Sequence, residues 1–143
     1  MDKWVTYAIV SMIFAGFTSV IAKMGLAGIS GELGLAVRTV FVSVFVFGFA
    51  AIFVKSGEIA LLTSKNYLWL GISGLTTALS WIFYYKALKA GEVSTVALID
   101  KGSFLVAVFL AWLILSEQIT LRVLLGCLLI GSGLLVVAYR PAT

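Results

Sequence analysis

LGLAVRTVFVSVFVFGFAAIFV, residues 33–54, carries a single charged side chain, Arg38. A block of about twenty predominantly apolar residues is the length that crosses a hydrocarbon layer roughly 30 Å thick. Comparable blocks lie on both sides of it, and they predict membrane-spanning helices over residues 4–26, 33–54, 67–88, 94–115 and 121–139. The expected fold is all-α: a polytopic membrane bundle of about five transmembrane helices, forming one domain over residues 1–143. Composition agrees, because 62% of the 143 residues are hydrophobic and 11% charged, against about 25% charged in an ordinary soluble domain. Too little charge remains to coat a water-facing surface. Residues 4–22 are uncharged and outrun the apolar core of a signal peptide, about 7–15 residues, so they read as a retained first span.

The joins are short. Residues 27–32, with Gly28 and Gly31, read as a tight turn, residues 55–66 as the longest and most polar connection, and 89–93 and 116–120 as brief links. Short joins make sequence neighbours pack antiparallel. Five spans put Lys3, Lys55, Lys65 and Arg122 toward one face of the membrane, and Lys23, Arg38, Lys86, Lys89, Lys101 and Arg140 toward the other. Several of the second group lie inside expected spans, and once they are discounted the Lys/Arg bias nearly vanishes, which is either noise or the pattern of a chain that inserts in both orientations. Pro141, the only proline, lies beyond the last span, which leaves glycine or polar side chains to bend a helix in the bilayer.

Several classes of function lose support. Cys127 is the only cysteine, so no intrachain disulfide forms, and the absence of histidine removes the usual zinc ligand and the usual near-neutral proton carrier. No metal and no cofactor is expected. The net charge of +4 is scattered along the ends of apolar segments rather than gathered into a basic patch, which suits a lipid bilayer and not nucleic acid. No Gly-rich phosphate loop ending in Lys-Ser or Lys-Thr is present. Hydroxyls without an activating base, and no intramembrane carboxylate pair, give little basis for an enzyme.

Charged groups at membrane depth are functional candidates because each costs at least a few kcal/mol. The antiparallel path carries Lys23, Arg38, Lys86, Asp100 and Lys101 toward one side of the bilayer. Asp100 falls roughly 9 Å inside residue 94 at 1.5 Å per residue, too deep for a short side chain to reach the interface easily, whereas the cations have stems long enough to snorkel. Adjacent helical positions point about 100° apart, so a partner for Asp100 is expected from another helix: Lys23, Arg38 or Lys86, or Lys101 of a second subunit. On the third span Gly71, Gly74, Ala78, Trp81 and Tyr85 form one stripe, and Ser73, Thr77, Ser80 and Tyr84 form a hydroxyl stripe beside it. Those hydroxyls either bond their own backbone or, with Ser19 and Ser103, line a solute path. Phe41, Phe45, Phe49 and Phe53 read as lipid contact or packing. Gly126, the Cys127/Gly131 small-residue pair and Gly133 give the last span a flat face for its own bundle or a second copy.

Residues 84–91 (YYKALKAG), then Ile99-Asp100-Lys101, then residues 113–120 (LILSEQIT) before a Gly-rich apolar helix, resemble the EamA domain of the drug/metabolite transporter superfamily. The likeness covers nearly the whole chain and is closest to single-domain, five-span members. Larger relatives carry two such domains in inverted orientation and export metabolites such as amino acids. Leu98 stands where similar chains often have proline, so no proline kink is expected in the fourth span. The last span also resembles the final helix of small multidrug resistance proteins, whose dimers pack through two glycines seven residues apart, here Gly126 and Gly133. The first span lacks the glutamate on which those exporters depend, so their proton-for-cation exchange does not carry over.

These resemblances imply a secondary transporter or exporter of small polar metabolites in a prokaryotic inner membrane. Alternating access generally needs two units moving against each other, commonly inverted repeats. One five-helix unit therefore implies a homodimer, antiparallel in orientation. The alternative is a non-transporting membrane subunit that packs with or regulates another protein.

Overall fold

The computed structural model describes residues 3–139; Arg140 and Pro141 lie outside the described residues. All elements among the described residues are helices: α1 (Lys3–Gly25), α2 (Gly31–Phe53), α3 (Ser56–Ile59), α4 (Ser64–Ala90), α5 (Val93–Asp100), α6 (Ser103–Leu115) and α7 (Leu121–Ala138). Among the described residues, four stretches are long and apolar enough to cross a membrane: α1, α2, Val93–Leu115 and α7. The polytopic helical membrane architecture expected from the sequence is the one observed. At 27 residues, α4 is about 40 Å long, but Ser73, Thr76, Thr77 and Ser80 dilute its apolar character below that of the other four.

Side-chain caps set the starts of α2, α4 and α7. Ser30 accepts from the Leu33 N–H, Thr120 accepts from the Val123 N–H, and Thr63 and Asn66 bond each other reciprocally, side chain to backbone N–H in both directions. Each cap satisfies donors that the first helical turn leaves open. The Thr63–Asn66 box starts α4 at Ser64, three residues before the apolar run begins. Before α2 the chain turns through Gly28, whose φ of +75° is costly for any residue with a Cβ.

Two compact units divide the chain, with α1 contributing to both. Residues 21–90 form one, in which α2 and α4 run antiparallel: Gly31 lies on Tyr85 and Arg38 on Trp81. Leu26, Tyr85 and Leu88, the buried apolar side chains among the described residues, all belong to this unit. Residues 3–20 and 91–139 form the other, where Leu134 approaches Gly102 and Leu105 approaches Gly131, so the fourth span and α7 are also antiparallel. Large apolar side chains elsewhere face outward, including Phe41, Phe45, Phe49 and Phe53. Lipid tails satisfy such a surface as well as a protein core would.

Gly31 makes the α2–α4 contact possible. A Cβ at this position would lie 2.9 Å from the Tyr85 carbonyl oxygen and 3.1 Å from its carbon, and a helical backbone cannot retreat as a flexible side chain can. Gly31→Ala is expected to destabilise the protein by about 1–3 kcal/mol through overpacking. Gly25→Ala, where a Cβ meets nothing within 4 Å, is the neutral control. Equal melting temperatures for the two variants would show that α2 and α4 do not pack as described.

The fourth span is not one continuous helix. Gly102 N–H bonds Ile99 O at 2.9 Å, Phe104 N–H bonds Lys101 O at 3.3 Å and Leu105 N–H bonds Gly102 O at 3.0 Å. These i→i−3 bonds replace the α-helical i→i−4 ladder, and ψ at Lys101 and Gly102 is −15° and −18°, as in a 3₁₀ turn. Leu98 supplies no proline kink, yet the span divides four positions later at Gly102.

Candidate functional site

In the unit of residues 21–90 the candidate cations have specific partners. Lys23, in the last turn of α1, donates from Nζ to the Leu88 carbonyl and, at 3.5 Å, to that of Lys89. Lys89 in turn donates to the Leu26 carbonyl at 3.0 Å. Each lysine thus caps carbonyls at the end of the other's helix, where the helix dipole also favours a cation. Lys86 Nζ lies 3.4 Å from Glu32 Oε1, with both side chains more than half exposed. The Arg38 guanidinium sits 4.4 Å from the ring centre of Trp81 and 5.8 Å from that of Tyr85. Tyr84 meets Tyr85 edge-on at 6.3 Å.

Asp100 has an ion-pair partner on its own segment. Asp100 Oδ2 lies 3.8 Å from Nζ of the adjacent Lys101. The geometric objection to neighbours fails because α5 ends at Asp100 and the ladder changes at Lys101. Counted from Val93, Asp100 lies about 10 Å into the Val93–Leu115 span, with its side chain 36% exposed. Ser103, the first residue of α6, is exposed.

The hydroxyls follow the bland alternative where their bonds are resolved. Thr77 donates to Ser73 O at 2.8 Å, and Ser19, buried, donates to Ala15 O at 3.2 Å. Ser80 is exposed and Tyr84 half-buried. The glycines of α7 separate into two faces. A Cβ on Gly131 would touch Leu105 at 3.6 Å, so that residue packs within its own chain, whereas Gly126 and Gly133 meet nothing within 4 Å.

Sequence reasoning missed Glu32 and Lys89 as partners, although an acidic first turn and a basic last turn are recognised helix-end signals. It also missed the helix break, whose only sign was Gly102. At the α6–α7 link Ser116 adopts a left-handed conformation, φ 55°, and a groove of about 570 Å³ opens over Trp112, Ser116, Glu117 and Gln118.

Comparison with known proteins agrees with the membrane architecture. No solved structure matches the chain. A curated protein of Sinorhizobium sp., described as an uncharacterized transporter in the cobO 3′ region, is 34% identical over 140 residues, covering 96% of this chain and 97% of its own length. The model of the EamA-like transporter family matches residues 2–139. The chain belongs to the EamA-like transporter family.

Proposed function

We propose that the chain is a secondary transporter, and not an enzyme, for small polar metabolites of amino-acid or organic-acid type, acting as a homodimer of oppositely oriented subunits in a prokaryotic inner membrane. The observation that carries this reading is the break at Lys101–Gly102, which sets Asp100 and Lys101 about 10 Å inside a span. Broken helices at depth are a recurring way for transporters to hold solutes and coupling ions, because the interruption frees backbone and side-chain groups for a ligand. A fifth crossing is assigned to α4, since it runs antiparallel along α2 and has the length for it. The excess of Lys23, Arg38, Lys86 and Lys101 over Asp100 favours neutral, zwitterionic or anionic solutes over lipophilic cations.

One set of observations favours a non-transporting subunit: Lys23 and Lys89 cap helices, and Thr77 and Ser19 bond their own backbone. Thermal unfolding of the purified protein with amino acids, organic acids and cationic dyes separates the two readings. A solute that binds the folded state raises the melting temperature with concentration. Stabilisation by amino or organic acids is expected. A flat response to every solute favours the packing subunit, and stabilisation by dyes alone overturns the assigned substrate class.

A further inference from the structure

Arg38 is the seventh residue after Gly31, about 10 Å along α2, at a depth where a cation without a counter-charge is costly. Among the described residues it forms no ion pair; the nearby carboxylate of Glu32 is held by Lys86 at 3.4 Å. Its charge is met by rings instead, Trp81 at 4.4 Å and Tyr85 at 5.8 Å from the guanidinium carbon. Tyr85 is buried, 4% exposed, and is itself braced by Tyr84.

Aromatic rings attract a guanidinium electrostatically, but they offer no acceptor for the N–H groups that radiate in its plane. A stacked arginine therefore keeps a donor fork of the shape that grips a planar carboxylate through two parallel bonds. The rings also fix the side chain beforehand, so less conformational freedom is lost when a ligand binds. We propose that Arg38, stacked on Trp81 and Tyr85, is the carboxylate-recognition residue of this protein, which rests on the transporter reading and narrows its substrates to solutes bearing a carboxylate. Lysine cannot replace it, because an ammonium is a point charge without the fork.

The test uses the full chain in detergent and in liposomes, with succinate and acetate as probes against succinamide and acetamide. Binding of the two acids and not of the amides is expected in the wild type. Arg38→Lys is expected to weaken acid binding about tenfold, the loss of one charge-assisted bond, and Arg38→Gln to abolish it. Trp81→Leu, which keeps the charge but frees the side chain, is expected to weaken it as well. If Arg38→Gln fails to fold, Arg38→Lys and Trp81→Leu carry the comparison. The proposal is overturned by no acid binding in the wild type, by equal binding of acids and amides, or by unchanged acid binding in Arg38→Lys and Trp81→Leu, which would leave Arg38 as a fastener between α2 and α4. Uptake of amides without acid binding would overturn the Arg38 assignment and leave the transporter reading standing. Arg38-dependent acid binding without uptake of any solute would do the reverse.

Discussion

Asp100→Asn is expected to reduce transport to the level of protein-free liposomes while the protein is still made, inserted and assembled. The carboxylate stands at the end of α5, where the fourth span loses its regular ladder, and its ion-pair partner is Lys101 at 3.8 Å. That separation is at the outer limit of an ion pair, and both residues belong to one segment, so the pair cannot clamp two helices together. Loss of transport would then report the charge itself. The carboxylate carries a negative charge that can exchange cation partners during the cycle, and asparagine carries none. Melting temperature and dimer content of the variant must match the wild type. Normal transport by a well-folded Asp100→Asn protein would remove Asp100 from the mechanism, and a joint loss of folding and transport would restore the pair to a structural role.

Gly126→Leu and Gly133→Leu are each expected to shift the protein from dimer to monomer in detergent or lipid. The two glycines stand seven residues apart on one face of α7, and a Cβ on either meets nothing within 4 Å. Leucine therefore fits within the subunit, and its effect reads the contact with a second copy. Small residues let helix backbones approach closely in lipid, where packing has to supply association without a hydrophobic driving force between helices. Gly131→Leu is the informative contrast: a Cβ there already touches Leu105 of its own chain at 3.6 Å, so the larger side chain is expected to lower stability before it lowers dimer content. Unchanged dimer content in both the Gly126 and Gly133 variants would move the interface to another face. A single orientation for terminal tags in cells would exclude the antiparallel arrangement.

The apolar blocks carried most of the fold, because the hydrocarbon thickness leaves few other uses for twenty uncharged residues. Element edges were less legible. Ser64, Lys65 and Asn66 look like loop by polarity, yet the Thr63–Asn66 box makes them the first turn of α4. The division at Lys101–Gly102 had no proline to announce it, and a lone glycine inside an apolar run is compatible with an unbroken helix. Site residues were recognisable as charges out of place, but their partners were not. Lys23 and Lys89 exchange caps between helices 63–66 positions apart in sequence, a relation that only the packed unit reveals. Trp81 and Tyr85 were legible as members of one helical stripe, but their stacking with Arg38 is something no spacing rule predicts.

Uptake by liposomes containing the purified protein tests the transporter assignment most directly. Labelled amino acids and small organic acids should enter or leave saturably, faster than through protein-free liposomes, with the activity absent in Asp100→Asn. Solute movement indistinguishable from protein-free liposomes, measured on correctly folded wild-type protein across that whole set, would contradict it.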